Sequence, residues 1–128
     1  MFIVGWVSVA FAGERLDRAF DRVGATEAQR TEVLARLDQA RESLRAMREE
    51  GVALREEIRG VLFAPELDRK ALEGLRVQWL DWMDRASAAG FDVAADVVEV
   101  FTPEQRAELR ELREEAIADR WARWSAQE

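Results

Sequence analysis

Twenty-six carboxylates, with neither a histidine nor a cysteine, define the chemistry open to this 128-residue chain. Lacking both residues removes thiol nucleophiles, imidazole bases, disulfides and the common soft-metal ligands together. The carboxylates cluster as sequence neighbours, for example Glu49-Glu50, Glu56-Glu57 and Glu114-Glu115. Adjacent residues do not face one another on a helix, so this spacing makes no catalytic dyad. The di-metal site of a four-helix bundle draws on Glu-x-x-His, which needs the missing imidazole. There is no Gly-rich phosphate loop either. No catalytic residue, metal ligand or cofactor is expected, and the chain reads as a non-enzyme.

The most organised polar pattern is structural. In Val100-Phe101-Thr102-Pro103-Glu104-Gln105-Arg106, Thr102 is placed to cap the first turn of a helix. Gln105, three residues on, is placed to reach back to the amide of the cap residue, closing a capping box. Pro103 at the first helical position loses no hydrogen bond there. Phe101, just before the cap, is expected to staple onto the aliphatic stem of Arg106 or its neighbours. Thr26 and Gln29, in Ala25-Thr26-Glu27-Ala28-Gln29-Arg30, repeat the device 76 residues earlier. The two boxes set where helices begin and bracket one up-and-back excursion.

The remaining chemistry is apolar. Trp79, Trp82 and Met83 form an arc, and Trp121 and Trp124 stand near the C-terminus beside Arg120 and Arg123. The arc has two readings: core or dimer packing, or a surface that holds partly unfolded chains, for which flexible Met and broad indole faces are suited. The C-terminal pair divides likewise between a docked tail and a client contact.

Positioning these residues takes four helices. Residues 14–23 carry Leu16, Ala19, Phe20 and Val23 on one face, and Gly24 stops them. From Thr26 to about Leu62, Val33, Leu37, Ala40, Leu44, Met47, Gly51, Leu54, Ile58 and Val61 recur at 4,3 spacing. That is a heptad seam on a helix about 55 Å long. Gly51 is read as a place where another backbone comes close. Pro65 breaks the helix and can start the next one. The return seam is Leu72, Leu75, Trp79, Trp82, Ala86, Ala89, Val93 and Val100, with Val77, Leu80 and Met83 flanking it. Gly90 is a candidate bend. The last helix starts at Pro103, carries Leu109, Leu112, Ala116 and Ile117, and frays at its end. No strand pattern or domain linker occurs. The fold class is therefore all-α: a long antiparallel helical hairpin with short flanking helices, one domain over residues 14–128.

The net charge of −7 argues against a nucleic-acid partner, which would need a basic face. Residues 1–13 (MFIVGWVSVAFAG) are uncharged and mostly apolar, yet too short to span a bilayer. Ala10-Phe11-Ala12 has the small-x-small form of a signal-peptidase site. The stretch is read as the remnant of an export signal. The alternative is an apolar segment docked on the fold or on a partner. No stable membrane insertion is expected.

The two Thr-x-x-Gln starts flanking a long hairpin resemble the LTxxQ pattern of the Spy/CpxP family, which includes periplasmic heavy-metal resistance and sensor proteins. Phe101-Thr102-Pro103-Glu104-Gln105-Arg106 is close to the family's Leu-Thr-Pro-Glu-Gln-Arg form. The resemblance implies a cradle-shaped antiparallel homodimer in the periplasm. It implies an ATP-independent chaperone or envelope-stress adaptor that binds partly unfolded protein clients. The alternative it offers is a periplasmic regulator or metal sensor controlling a kinase or anti-sigma partner. A structural coiled-coil subunit is a third reading. Many members bind metal through terminal His and Met; here His is absent and Met occurs only at Met1, Met47 and Met83. Client contacts are assigned to Trp79, Trp82, Met83, Trp121 and Trp124. Because the chain is acidic, these contacts are expected to be mainly apolar.

Overall fold

A computed structural model describes residues 14–127. The stretch read as an export-signal remnant, residues 1–13, lies outside the described residues. Four helices follow in order: α1 Glu14–Val23, α2 Glu27–Leu62, α3 Arg69–Val98 and α4 Pro103–Ser125, with no strand among the described residues. The long helices α2 and α3 pack against each other as a hairpin, and α1 packs on α4 at its base.

Each helix boundary has a local cause. Helix α1 ends where Gly24 adopts φ +65°. The Gly24 N–H donates to Asp21 O (3.3 Å) and the Ala25 N–H to Phe20 O (3.0 Å), so two orphan carbonyls are satisfied in a Schellman turn. Thr26 caps α2 and Thr102 caps α4, both with complete capping boxes, and Pro103 opens α4. Helix α3 starts later than Pro65 suggests. Asp68 is its N-cap, accepting from the Ala71 N–H at 3.0 Å. A carboxylate at the cap satisfies a backbone donor and complements the helix dipole, which Pro65 cannot do. The helix runs unbroken through Gly90 and stops at Val98, before the expected Val100. Val100 and Phe101 turn back to the carbonyls of Val97 and Val98, at 3.2 and 3.1 Å.

The seam residues face inward. From Val33 to Val61 on α2, and at Leu72, Leu75, Trp79, Trp82, Ala86, Ala89 and Val93 on α3, each is buried or half-buried. They form two separate cores. The basal core joins Leu16, Phe20, Val23 and Ala25 to Val33, Val93, Val97 and Phe101. The distal core, toward the hairpin tip, is smaller: Leu54, Leu75, Trp82 and Ala86, with Met47, Ile58, Val61 and Trp79 against them.

One expectation is corrected. Gly51 makes room for a side chain, not a backbone: a Cβ there would overlap the indole of Trp82. Phe101 joins a cluster against which Leu109 of α4 packs. It is buried in the basal core with its ring 6.5 Å from that of Phe20.

Candidate functional site

The two Thr-x-x-Gln boxes meet. Each glutamine Oε1 accepts from the amide N–H of its own cap residue, Thr26 at 3.0 Å and Thr102 at 2.9 Å. Each threonine hydroxyl accepts from the glutamine's backbone N–H in return. The side-chain amides then bond across the base. Gln29 Nε2 donates to Gln105 Oε1 at 2.7 Å, and Gln105 Nε2 donates to Gln29 Oε1 at 2.9 Å. The second proton of Gln29 Nε2 reaches Val100 O (3.3 Å), and that of Gln105 Nε2 reaches Val23 O (3.4 Å). Both amides therefore use two donors and two acceptor directions, the full capacity of the group. The result is a clasp that ties the starts of α2 and α4 to the last carbonyl of α1 and to the Val100 carbonyl in the turn after α3. It fixes where four chain segments converge. The sequence showed the boxes but not their contact. The signal was present in the identical offsets of the two copies.

Arginines brace the same region. Arg30 donates to Ala25 O at 3.2 Å, pairs with Asp21 at 3.1 Å, and lies over the Phe20 ring at 5.3 Å. Arg36 bonds Glu32 at 2.9 Å and Asp96 O at 2.6 Å, linking α2 to the last turn of α3. Arg22 forks Glu115 at 2.7 and 3.1 Å and contacts Glu108 at 3.4 Å, pinning α1 to α4. Hydrogen bonding to Arg22 holds the Glu115 carboxyl below its ordinary value.

The five aromatic and Met candidates are divided by the fold. Trp82 is only 6 % exposed, so it is a core residue and not an available client contact. Its indole N–H donates to Met47 O at 2.7 Å, and its ring fills the space that Gly51 leaves. Trp79 stacks on it at a centroid distance of 5.0 Å and is half-buried. Met83 is exposed. Trp121 and Trp124 are also exposed, at 63 % and 56 %, and meet edge-on at 5.5 Å. They continue the face of Ile117 on α4, a helix with no buried residue.

A second apolar stripe on α3 was only partly anticipated. Val77 and Leu80 are exposed as flanking residues, but Phe91 (61 % exposed) and Val98 extend the same line. Spacings of 3, 11 and 7 residues place all four on one face, roughly opposite Leu75, Trp82, Ala86 and Val93. Helix α3 is thus apolar on two sides, with one side packed on α2.

The match to known proteins follows the same boundaries. The family model described as LTXXQ motif family protein matches residues 11–113, which spans both glutamine boxes and the whole hairpin. The chain belongs to the LTXXQ motif family. This is the family of Spy/CpxP-like proteins, which are typically periplasmic. No curated protein and no solved structure matches the chain. No helix among the described residues is long and apolar enough to cross a membrane.

Proposed function

We propose that this LTXXQ protein is an ATP-independent chaperone and envelope-stress adaptor of the periplasm, acting as a homodimer and without catalysing a reaction. The observation that carries this reading is the set of large apolar side chains left open on a clasped helical frame. A helix apolar on two sides calls for a second partner. The α3 stripe of Val77, Leu80, Phe91 and Val98 has the spacing that suits another helix, so it is assigned to self-association. Met83, Trp121 and Trp124 are assigned to clients. Their contacts are broad, flexible and non-directional, which suits many partners and binds none tightly. Release needs no nucleotide, because a client that buries its own apolar surface withdraws from the contact.

The test is light scattering of an aggregating client without ATP, using several unrelated clients. Suppression at near-stoichiometric ratios is expected, reduced by Trp121→Glu with Trp124→Glu while helicity is unchanged. The absence of suppression for every client would overturn the chaperone reading and point to a single dedicated partner. In parallel, Leu80→Glu with Phe91→Glu is expected to convert a dimer to a monomer in multi-angle scattering.

A further inference from the structure

Helix α4 outruns the elements that hold it. The Arg22 fork on Glu115 ties it to α1, and every described residue after Glu115 is exposed. Residues 116–125 therefore project as an arm about 15 Å long. The sides of this helix differ. Glu108 and Glu115 face α1, where Arg22 meets them. At about 100° per residue, Ile117, Trp121 and Trp124 fall on the opposite side. Arg120 and Arg123 border that side, and Asp119 lies away from it. Arg110 is engaged by Glu114 at 3.1 Å, whereas Arg120 and Arg123 form no ion pair among the described residues. The arm is thus apolar and basic on one side, in a chain whose total charge is −7.

Distance keeps that total from dominating. Arg123 stands about 12 Å along the axis from Glu115, past the screening length of about 10 Å at 0.1 M salt. The end of the arm is therefore screened from the acids of the body. Indoles join an apolar ring to a wet N–H, the combination that settles at a bilayer interface. Arginine stems lie along apolar surface while the guanidinium forks onto phosphate. A lone convex helix offers a peptide no groove to enter, but a bilayer interface takes such a helix on its apolar side. The two unpaired guanidiniums select an anionic surface over a neutral one.

We propose that the C-terminal arm of α4 rests on an anionic lipid surface, with Ile117, Trp121 and Trp124 in the interface and Arg120 and Arg123 on lipid phosphates. The arm adsorbs and does not cross, since no helix among the described residues is long and apolar enough to span a membrane. The proposal goes beyond the chaperone reading and does not rest on it: vesicle binding is read without a client, and client scattering without vesicles. A client and a lipid surface would compete for the two indoles.

The test is flotation of the full chain with phosphatidylcholine vesicles and with vesicles of equal parts phosphatidylcholine and phosphatidylglycerol. Hydrogen exchange of the α4 amides reports where the chain touches. The anionic vesicles are expected to bind about tenfold more tightly, with a preference that fades as salt is raised, and to protect the amides of residues 117–125. Arg120→Gln with Arg123→Gln is expected to remove the preference. Trp121→Ala with Trp124→Ala is expected to weaken binding to both vesicles and to lose the protection. All four residues are exposed, so circular dichroism should be unchanged in each variant. Phe63→Ser, at an exposed apolar residue of the hairpin tip, is expected to leave binding intact. Equal binding to neutral and anionic vesicles would overturn the proposal, as would an anionic preference that survives both arginine substitutions. Vesicle binding without protection of residues 117–125 would also overturn it and assign the contact to another segment. Protection of these amides by an acidic, apolar peptide but not by vesicles would overturn it in favour of a protein partner.

Discussion

At the base of the molecule, four chain segments converge and two glutamine amides bind one backbone polar group of each. Toward the tip, two helices meet over a four-residue core, held by one indole seated on one glycine. The base is specified by hydrogen-bond valence, the tip by shape. Valence is exacting because a buried donor left alone costs more than a bond gains. Shape is exacting because packed interiors tolerate neither a void nor an extra methyl. The two ends should therefore fail independently and under different substitutions.

Trp82→Ala should break the comparison most severely. It empties the centre of the distal core and strands Met47 O without its indole donor. A loss of about 3–5 kcal/mol is expected, as a lower denaturation midpoint. Hydrogen exchange should show where the loss falls: amides of residues 47–58 and 72–86 lose protection first, while those around Val33 and Val97 retain it. Uniform loss would mean that base and tip are one cooperative unit.

Gln29→Ala and Gln105→Ala come next. Each removes half of the clasp and leaves the other amide with unmet donors and acceptors, so about 1–3 kcal/mol is expected for either. The double variant should cost clearly less than the sum, with a coupling of about 0.5–3 kcal/mol in a double-mutant cycle. Additivity would show that the boxes act as separate helix caps.

Gly51→Ala should have a smaller net effect. The new methyl overlaps the Trp82 ring, an overpacking cost of about 1–3 kcal/mol. Replacing a mid-helix glycine returns about 1 kcal/mol of propensity. Net destabilisation is expected, and pairing with Trp82→Ala should reverse its sign, because the clash then has no partner. The thermal midpoints of the two singles and the double decide this.

Much of this contrast was legible from residue spacing. The 4,3 seams located the hairpin, and the Thr-x-x-Gln offsets placed two helix starts to the residue. What spacing could not supply was contact between distant segments. Gln29 and Gln105 are 76 positions apart, and only the fold shows that their amides complete each other. Periodicity assigned Trp79 and Trp82 to one seam without telling which is enclosed. That was decided by the absence of a side chain at Gly51 across the hairpin. Phe91 and Val98 escaped notice because the outer stripe of α3 is interrupted by Asp84 and Ser87. Pro65 drew attention as a helix start because proline is a strong local signal, yet the cap went to Asp68, whose carboxylate satisfies a backbone donor.

The smallest effect concerns ion pairs, of which one in each region serves the comparison. Glu115 at the base is held down by hydrogen bonds from Arg22, and Glu50 on the hairpin by those from Arg85, whose Nη1 lies 3.0 Å away. In both, the folded carboxyl titrates below its ordinary value of 4.5. A group depressed in this way contributes stability that is fully present above the unfolded value and is lost as pH falls through the folded one. The pairs are exposed, so the contribution is slight and weakens with salt. Thermal midpoints should be flat from neutral pH to about 5 and decline below about 4.5 as these carboxyls protonate. Glu115→Gln should flatten the acid limb reported by α1 and α4 amides alone, and Glu50→Gln that of the distal amides alone. If either substitution flattened both limbs, the two ends would be linked through the hairpin, and the clasp would be sensing the tip.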